Sequence, residues 1–378
     1  MSKIVEKNEG NPFEMQIEKE QTQPKNSNEK FFSKVKRILS YIFIDGMSGM
    51  AIGLFATLII GTIIENIGKI FGGDFGEYIK IAGQFAKFTM GAGIALGMGY
   101  KLKKAPLVSV SAGVVGMLAS FVSKINVGIS FASVGEPLGA FISAFVALEL
   151  GSLVSGKTKI DVIVTPLTCI FSGALIAFLI GTPISQLMSF LSGVIRTAGE
   201  QQPFLMGVLV AVLMGVFLTL PISSAAIGVT LGLDGIVAGA AVVGCCCQMV
   251  GYAVLSFREN KWGGLIAQGL GTSMLQMPNL VKKPILWLPP IIASAVLGPI
   301  SSCVLQMTSS AVGSGMGTAG LVGVIETFAT MSLTQEWWLV LIQILAIDIL
   351  APALICFAIG EIMRKIGWVQ YGDLKLEL

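Results

Sequence analysis

The chain has 378 residues, 54% hydrophobic and only 12% charged, with a formal net charge of +3 and a mean hydropathy of +0.81. A soluble domain carries roughly 25% charged residues, so an ordinary soluble enzyme is excluded, and so is a nucleic-acid partner, because the small positive charge forms no basic face. There is no histidine, which removes histidine metal sites, Ser/His nucleophilic catalysis and any phosphohistidine carried by this chain.

Residues 1–30 mix Glu and Lys without an apolar signal-peptide core and are expected to form a disordered cytoplasmic tail. Lys30, Lys34, Lys36 and Arg37 stand just before the first apolar run and place the N-terminus inside. Apolar runs follow at about 41–64, 79–100, 106–124, 138–155, 162–182, 204–222, 235–257, 263–281, 284–305, 319–333 and 337–361. Several are near the 20 residues that cross a bilayer as helix. The fold class is therefore all-α: a polytopic helical membrane protein of about ten transmembrane helices, with broken or re-entrant segments. Most of its 46 glycines sit inside the apolar runs, where they serve close helix packing. Lys101, Lys103 and Lys104 fall in one loop and Lys157 and Lys159 in another, both expected in the cytoplasm. The acidic stretch from Glu65 through Asp74 to Glu77 is expected outside.

Two halves echo each other. Ser48-Gly-Met-Ala-Ile-Gly53 matches Ser223-Ser-Ala-Ala-Ile-Gly228. Leu102-Lys-Lys-Ala-Pro106 matches Val281-Lys-Lys-Pro284. Ser133-Val-Gly-Glu-Pro-Leu-Gly139 matches Ala311-Val-Gly-Ser-Gly-Met-Gly317. The offsets are nearly equal and the order is kept. This divides the chain into a first membrane repeat at 31–182, an interfacial linker at 183–203, a second repeat at 204–366 and a tail at 367–378. Internal duplication is common in transporters whose site lies near the midplane between repeats. Whether these repeats run parallel or inverted stays open.

The candidate chemistry sits where apolar sequence is interrupted. Gly135-Glu136-Pro137 places a carboxylate between apolar flanks. Pro137 lacks an N–H and restricts Glu136 to extended backbone. An ionisable group at that depth reads as a substrate or ion site, the plainer alternative being a solvated loop. Broken helix is tolerated there only against protein or a water-filled cavity. The matching turn, Thr308 to Thr318, carries Ser309, Ser310 and Ser314. It suits a polar or anionic ligand, and equally a loop or helix-packing face of small residues. Pro221 interrupts a third run, and Ser223 and Ser224 follow it as candidate lining residues. Gln276 and Asn279 offer donor and acceptor together, as sugar hydroxyls require, although interhelical bonding is their commoner use. Cys169, Cys245, Cys246, Cys247, Cys303 and Cys356 all lie in apolar segments and read as buried packing residues. No metal or other cofactor is called for. With no Walker sequence, the chain uses a gradient, facilitates diffusion or relies on separate proteins.

At Gly135-Glu136-Pro137 the chain resembles the membrane IIC subunits of the sugar phosphotransferase system, in which a Glu-Pro element contributes a carboxylate to the sugar site. Leu220-Pro-Ile-Ser-Ser-Ala-Ala-Ile-Gly228, Thr272-Ser-Met-Leu-Gln-Met-Pro-Asn279 and Gly323-Val-Ile-Glu326 are similar to the IIC-like branch that includes perfringolysin regulator-type membrane proteins. The likeness covers about residues 35–365. It implies a IIC-like permease in a bacterial cytoplasmic membrane, with Glu136 on a sugar or other small polar solute. It also implies a homodimer and separate cytoplasmic phosphotransfer subunits. The family's sugar site commonly includes a histidine that this chain lacks, which leaves a membrane sensor or regulator of the same fold as the alternative.

Overall fold

Several helices begin at a proline or a small residue, among them those starting at Gly73, Pro106, Pro137, Pro203, Ser224 and Gly235. A computed structural model describes residues 34, 37–122 and 135–376; the expected tail at 1–30 and residues 128–134, ahead of Gly135, lie outside them. Among the described residues the one extended pairing is an isolated antiparallel bridge between Gly235 and Ser309. In chain order the first helices are α1 Met47–Leu54, α2 Ile60–Phe71, α3 Gly73–Phe88, α4 Met90–Lys101, α5 Pro106–Phe121, α6 Pro137–Val154 and α7 Asp161–Gly199. They are followed by α8 Pro203–Thr219, α9 Ser224–Leu231, α10 Gly235–Leu255, α11 Phe257–Ile266, α12 Met277–Lys282, α13 Leu288–Pro299, α14 Val322–Met331, α15 Trp337–Ile344 and α16 Ala351–Ile366. Pro106, Pro137 and Pro203 each open a helix, where the absent N–H costs nothing and the fixed φ suits the first turn.

Among the described residues, six helical stretches are long and apolar enough to cross a membrane: Arg37–Lys69, Pro137–Val154, Asp161–Gly199, Gly235–Leu255, Pro284–Leu305 and Trp337–Ile366. Shorter apolar helices among the described residues include Pro106–Phe121, Pro203–Thr219 and Ala319–Met331. About ten spans were expected; the difference arises because several apolar runs fold as helix, break and helix. The run at 79–100 divides at Thr89 between α3 and α4. The run at 263–281 becomes the end of α11, a π-helical turn at Ala267–Gly271, a 3₁₀ turn at Ser273–Gln276, and α12. Conversely, helix α7 passes through Pro183 and continues to Gly199, so the segment read as a linker is helical for most of its length.

Within the compact unit formed by residues 43–378, helices group by neighbourhood in sequence. Helix α1 packs on α4, α4 on α5, and α5 on α6 and α7, while α8 packs on α10 and α13, and α16 packs on the same two helices. Close crossings depend on missing side chains. A Cβ on Gly53 would overlap the Gly93 carbonyl oxygen across α1 and α4, and one on Gly244 would overlap the Ala211 carbonyl across α10 and α8. Backbone contact of this kind supplies the van der Waals attraction that holds helices together in lipid, where the hydrophobic effect between helices is absent. Helix α10 is the buried axis: of its most apolar 18-residue window, 89% is buried, against 22% for α7. Leu167, Phe171, Leu175, Phe178 and Leu179 of α7 accordingly face outward.

Candidate functional site

Four interruptions of helix converge on one cavity of about 500 Å³, inside the roughly 300–1,000 Å³ range of small-molecule sites. Its wall includes Thr62, Glu65, Asn66 and Lys69 of α2, Pro137 at the start of α6, Ser223 and Ser224 at the start of α9, and Thr272 and Met274 from the broken stretch before α12. Val312, Met316 and Ala319 come from the turn ahead of α14.

Pro137 sets the first interruption. Glu136 is held extended at φ −96°, ψ 114°, as its position before proline requires. Its N–H donates to the Ser120 carbonyl at 2.8 Å, and its own carbonyl accepts from Ala140 N–H at 3.3 Å. The residue thus joins the end of α5 to the start of α6. The residue is 9% exposed and stands immediately before the lining residue Pro137. Gly135 is restricted to glycine by space, since a Cβ would come within 2.7 Å of the Ser120 side chain.

Helix α8 stops at Thr219, ahead of Pro221. Ser223 then caps α9, its hydroxyl accepting from Ala226 N–H at 3.3 Å, as serine N-caps commonly do. The Ser224 hydroxyl donates to the Gly315 carbonyl at 2.7 Å, tying α9 to the turn ahead of α14. Both serines line the cavity. Ser309, Ser310 and Ser314 belong to that turn, yet do not line the cavity. Ser310 donates to Glu326 Oε2 at 2.8 Å, and Ser314 to the Ala311 carbonyl at 2.9 Å. Ser309 is 1% exposed and its N–H donates to the Gly235 carbonyl at 3.2 Å. The turn reaches the cavity through Val312 and Met316 instead.

Gln276 and Asn279 are also placed elsewhere, in an amide chain. The Gln276 amide donates to Gln268 Oε1 at 2.9 Å and to the Leu374 carbonyl at 2.9 Å. Asn279 donates to Gln276 Oε1 at 2.8 Å and to the Lys375 carbonyl at 3.0 Å. The chain continues from Gln268 to the Ser256 hydroxyl at 2.7 Å.

The charged part of the cavity wall was not anticipated. The acidic stretch from Glu65 to Glu77 was expected outside the membrane; helix α2 runs through Glu65 to Phe71. Glu65 pairs with Lys87 of α3, at 12% and 14% side-chain exposure. Asn66 donates to the Gly320 carbonyl. Lys69 is exposed at the rim and has no ion-pair partner among the described residues. A signal was available: Thr62, Glu65, Asn66 and Lys69 recur at three- and four-residue spacing, which puts them on one helix face. The resulting wall is largely apolar, with hydroxyls, an amide, an ion pair and a further cation, and two helix N-termini open onto it.

No curated protein matches the chain. The family model described as "Phosphotransferase system, EIIC" matches residues 44–376, which spans α1 to α16 and every residue of the cavity wall. Nearly the whole described helical body falls within that match, and the chain belongs to the membrane EIIC family of the phosphotransferase system.

Proposed function

We propose that the protein is a permease that carries a sugar or another small polar solute through the cavity, with Glu136 and the starts of α6 and α9 forming its binding side. The observation that carries this reading is the convergence of the helix breaks at 135–137, 220–224, 272–274 and 306–321 on one cavity. Transporters place binding sites at discontinuous helices because free backbone groups and helix ends supply polar contacts at membrane depth. Ser223, Thr272 and Asn66 offer hydroxyl and amide groups to a polyol. Glu136, next to Pro137, supplies a carboxylate of the kind that accepts from vicinal hydroxyls. Family membership accounts for the membrane setting and, as a class, for association with phosphotransferase subunits. We further assign the chain to the perfringolysin regulator-type branch, on the motifs at 220–228, 272–279 and 323–326.

The test is a thermal-shift screen against sugars, sugar phosphates, nucleosides and organic anions, followed by the Glu136→Gln variant. A hit whose stabilisation is abolished by Glu136→Gln at normal expression supports the site. Unchanged binding and uptake in that variant would remove Glu136 from it.

A second reading is a membrane sensor that keeps the fold without flux. The absence of histidine from all 378 residues favours it, since the chain carries no phosphohistidine of its own. Uptake into proteoliposomes separates the two: binding without flux supports the sensor.

A further inference from the structure

Residues 367–376, which follow the last long apolar stretch, turn back onto the protein. Val369 is 5% exposed and Leu374 1%, and Leu376 packs against Ala51, Ala267 and Leu275. The receiving groove recognises main chain. The Leu374 carbonyl accepts from both Asn260 Nδ2, at 2.8 Å, and Gln276 Nε2, at 2.9 Å. The Lys375 carbonyl accepts from Asn279 Nδ2 at 3.0 Å, and Leu376 N–H donates to Asn260 Oδ1 at 2.8 Å. Side chains fix the register: Lys283 Nζ meets Asp373 Oδ2 at 2.6 Å, and Glu259 Oε1 accepts from Gly372 N–H at 2.9 Å. Main-chain hydrogen bonds combined with apolar side-chain pockets are a general basis of peptide recognition, here of a segment that turns at residues 371–374, with Lys375 N–H donating to the Gly372 carbonyl at 3.2 Å.

The same short stretch that receives the segment also walls the cavity. Leu275 and Gln276 contact residues 374–376, whereas Thr272 and Met274 face the cavity. A 3₁₀ turn at Ser273–Gln276 preceded by a π-helical turn at Ala267–Gly271 has poorer internal hydrogen bonding than α-helix, so outside contacts decide its position. A separate cavity of about 200 Å³ between Asp373 and Lys375 and the Lys282–Lys283 pair leaves the outer side of the docked segment open.

We propose that the groove formed by α11, the Ser273–Gln276 turn and α12 is a binding site for a turn-forming peptide segment, occupied by residues 372–376 of its own chain, and that emptying it frees the cavity wall at Thr272–Met274. The chemistry it selects is an acidic residue followed by two apolar side chains one residue apart, as in Asp373, Leu374 and Leu376. The consequence for solute movement rests on the cavity being the solute path; the docking itself does not.

The experiment follows labelling of Met274→Cys by a membrane-impermeant maleimide, added from the side that carries residues 367–376. A Cys303→Ser background removes the exposed thiol, and peptide mass spectrometry reads position 274. Removal of residues 367–378 is expected to raise the rate about tenfold or more, because labelling tracks the open population. A synthetic peptide of residues 367–378 added in trans is expected to return it. An Ala51→Cys, Leu376→Cys crosslink in the full chain is expected to keep position 274 slow until it is reduced. An unchanged rate on truncation, or crosslinked and reduced chains that label alike, would overturn the proposal. The crosslink comparison decides the matter even if the truncated chain fails to fold. Labelling needs no solute, so a failed transport assay and a failed latch give different results.

Discussion

Two buried residues of the second helix group carry definite expectations. Gly244 faces the Ala211 carbonyl so closely that an added methyl has nowhere to go but into backbone. Backbone cannot yield as a flexible side chain can. Gly244→Ala is therefore expected to destabilise by about 1–3 kcal/mol, the usual cost of overpacking, read as a lowered thermal midpoint in detergent. Asp348 poses the opposite case. It is fully buried, neither carboxylate oxygen has a hydrogen-bond partner among the described residues, and the Cys246 thiol is its polar neighbour. A buried unpaired polar group costs stability. Asp348→Asn, which keeps the shape and removes the charge, is expected to raise the midpoint. A clear fall would show that the carboxylate has a partner in the membrane.

At the scale of elements, the groove for residues 367–376 makes folding sensitive to pH through Glu259. Burial pushes this carboxyl above the ordinary carboxylate range, against the opposing pull of the Gly372 N–H and of Arg364. The folded chain then holds more protons than the unfolded one between the ordinary value and the raised one. The contribution of Glu259 is thus complete below the ordinary carboxylate range and is lost as pH rises through the raised value. Thermal midpoints measured across that window are expected to fall with pH less steeply in Glu259→Gln than in the parent. Neither the groove nor its occupant was legible in the sequence. Gln276 and Asn279 announced polar contacts, but nothing local could show that residues far along the chain would supply the acceptors. Other elements were plain. The apolar run at 138–155 became Pro137–Val154, 284–305 became Pro284–Leu305, and 204–222 became Pro203–Thr219, because proline and small polar residues mark helix starts by local chemistry. Where two apolar stretches meet without a polar loop, as at Thr89 or through Pro183, the break depends on packing, and periodicity alone could not place it.

At the scale of the molecule, the position of the cavity and the inventory of the chain restrict what transport could mean. Helix breaks separated by up to about half of the sequence share one wall, so a solute bound there touches both helix groups, and its binding energy can bias how they move. A ligand that binds only the folded state at about 100 times its Kd stabilises it by about 2.7 kcal/mol. Ser223→Ala, which removes a lining hydroxyl and the cap of α9 together, is expected to reduce that gain as well as the intrinsic midpoint. Asn66→Ala is expected to reduce both in the same way, since Asn66 lines the cavity and bonds Gly320. The chain has no histidine to carry a phosphoryl group and no nucleotide-binding motif. In proteoliposomes containing this protein alone and no ion gradient, an imposed solute gradient is therefore expected to drive uptake to equilibrium without accumulation beyond it. Mass spectrometry of the internal solute is expected to find it unmodified. Phosphorylated solute inside such vesicles would show that the chain transfers phosphate through a residue other than histidine. Phosphorylation that appears only when cytoplasmic phosphotransferase subunits and a phosphate donor are added would instead assign that step to the partners and leave this chain the task of holding and moving the solute.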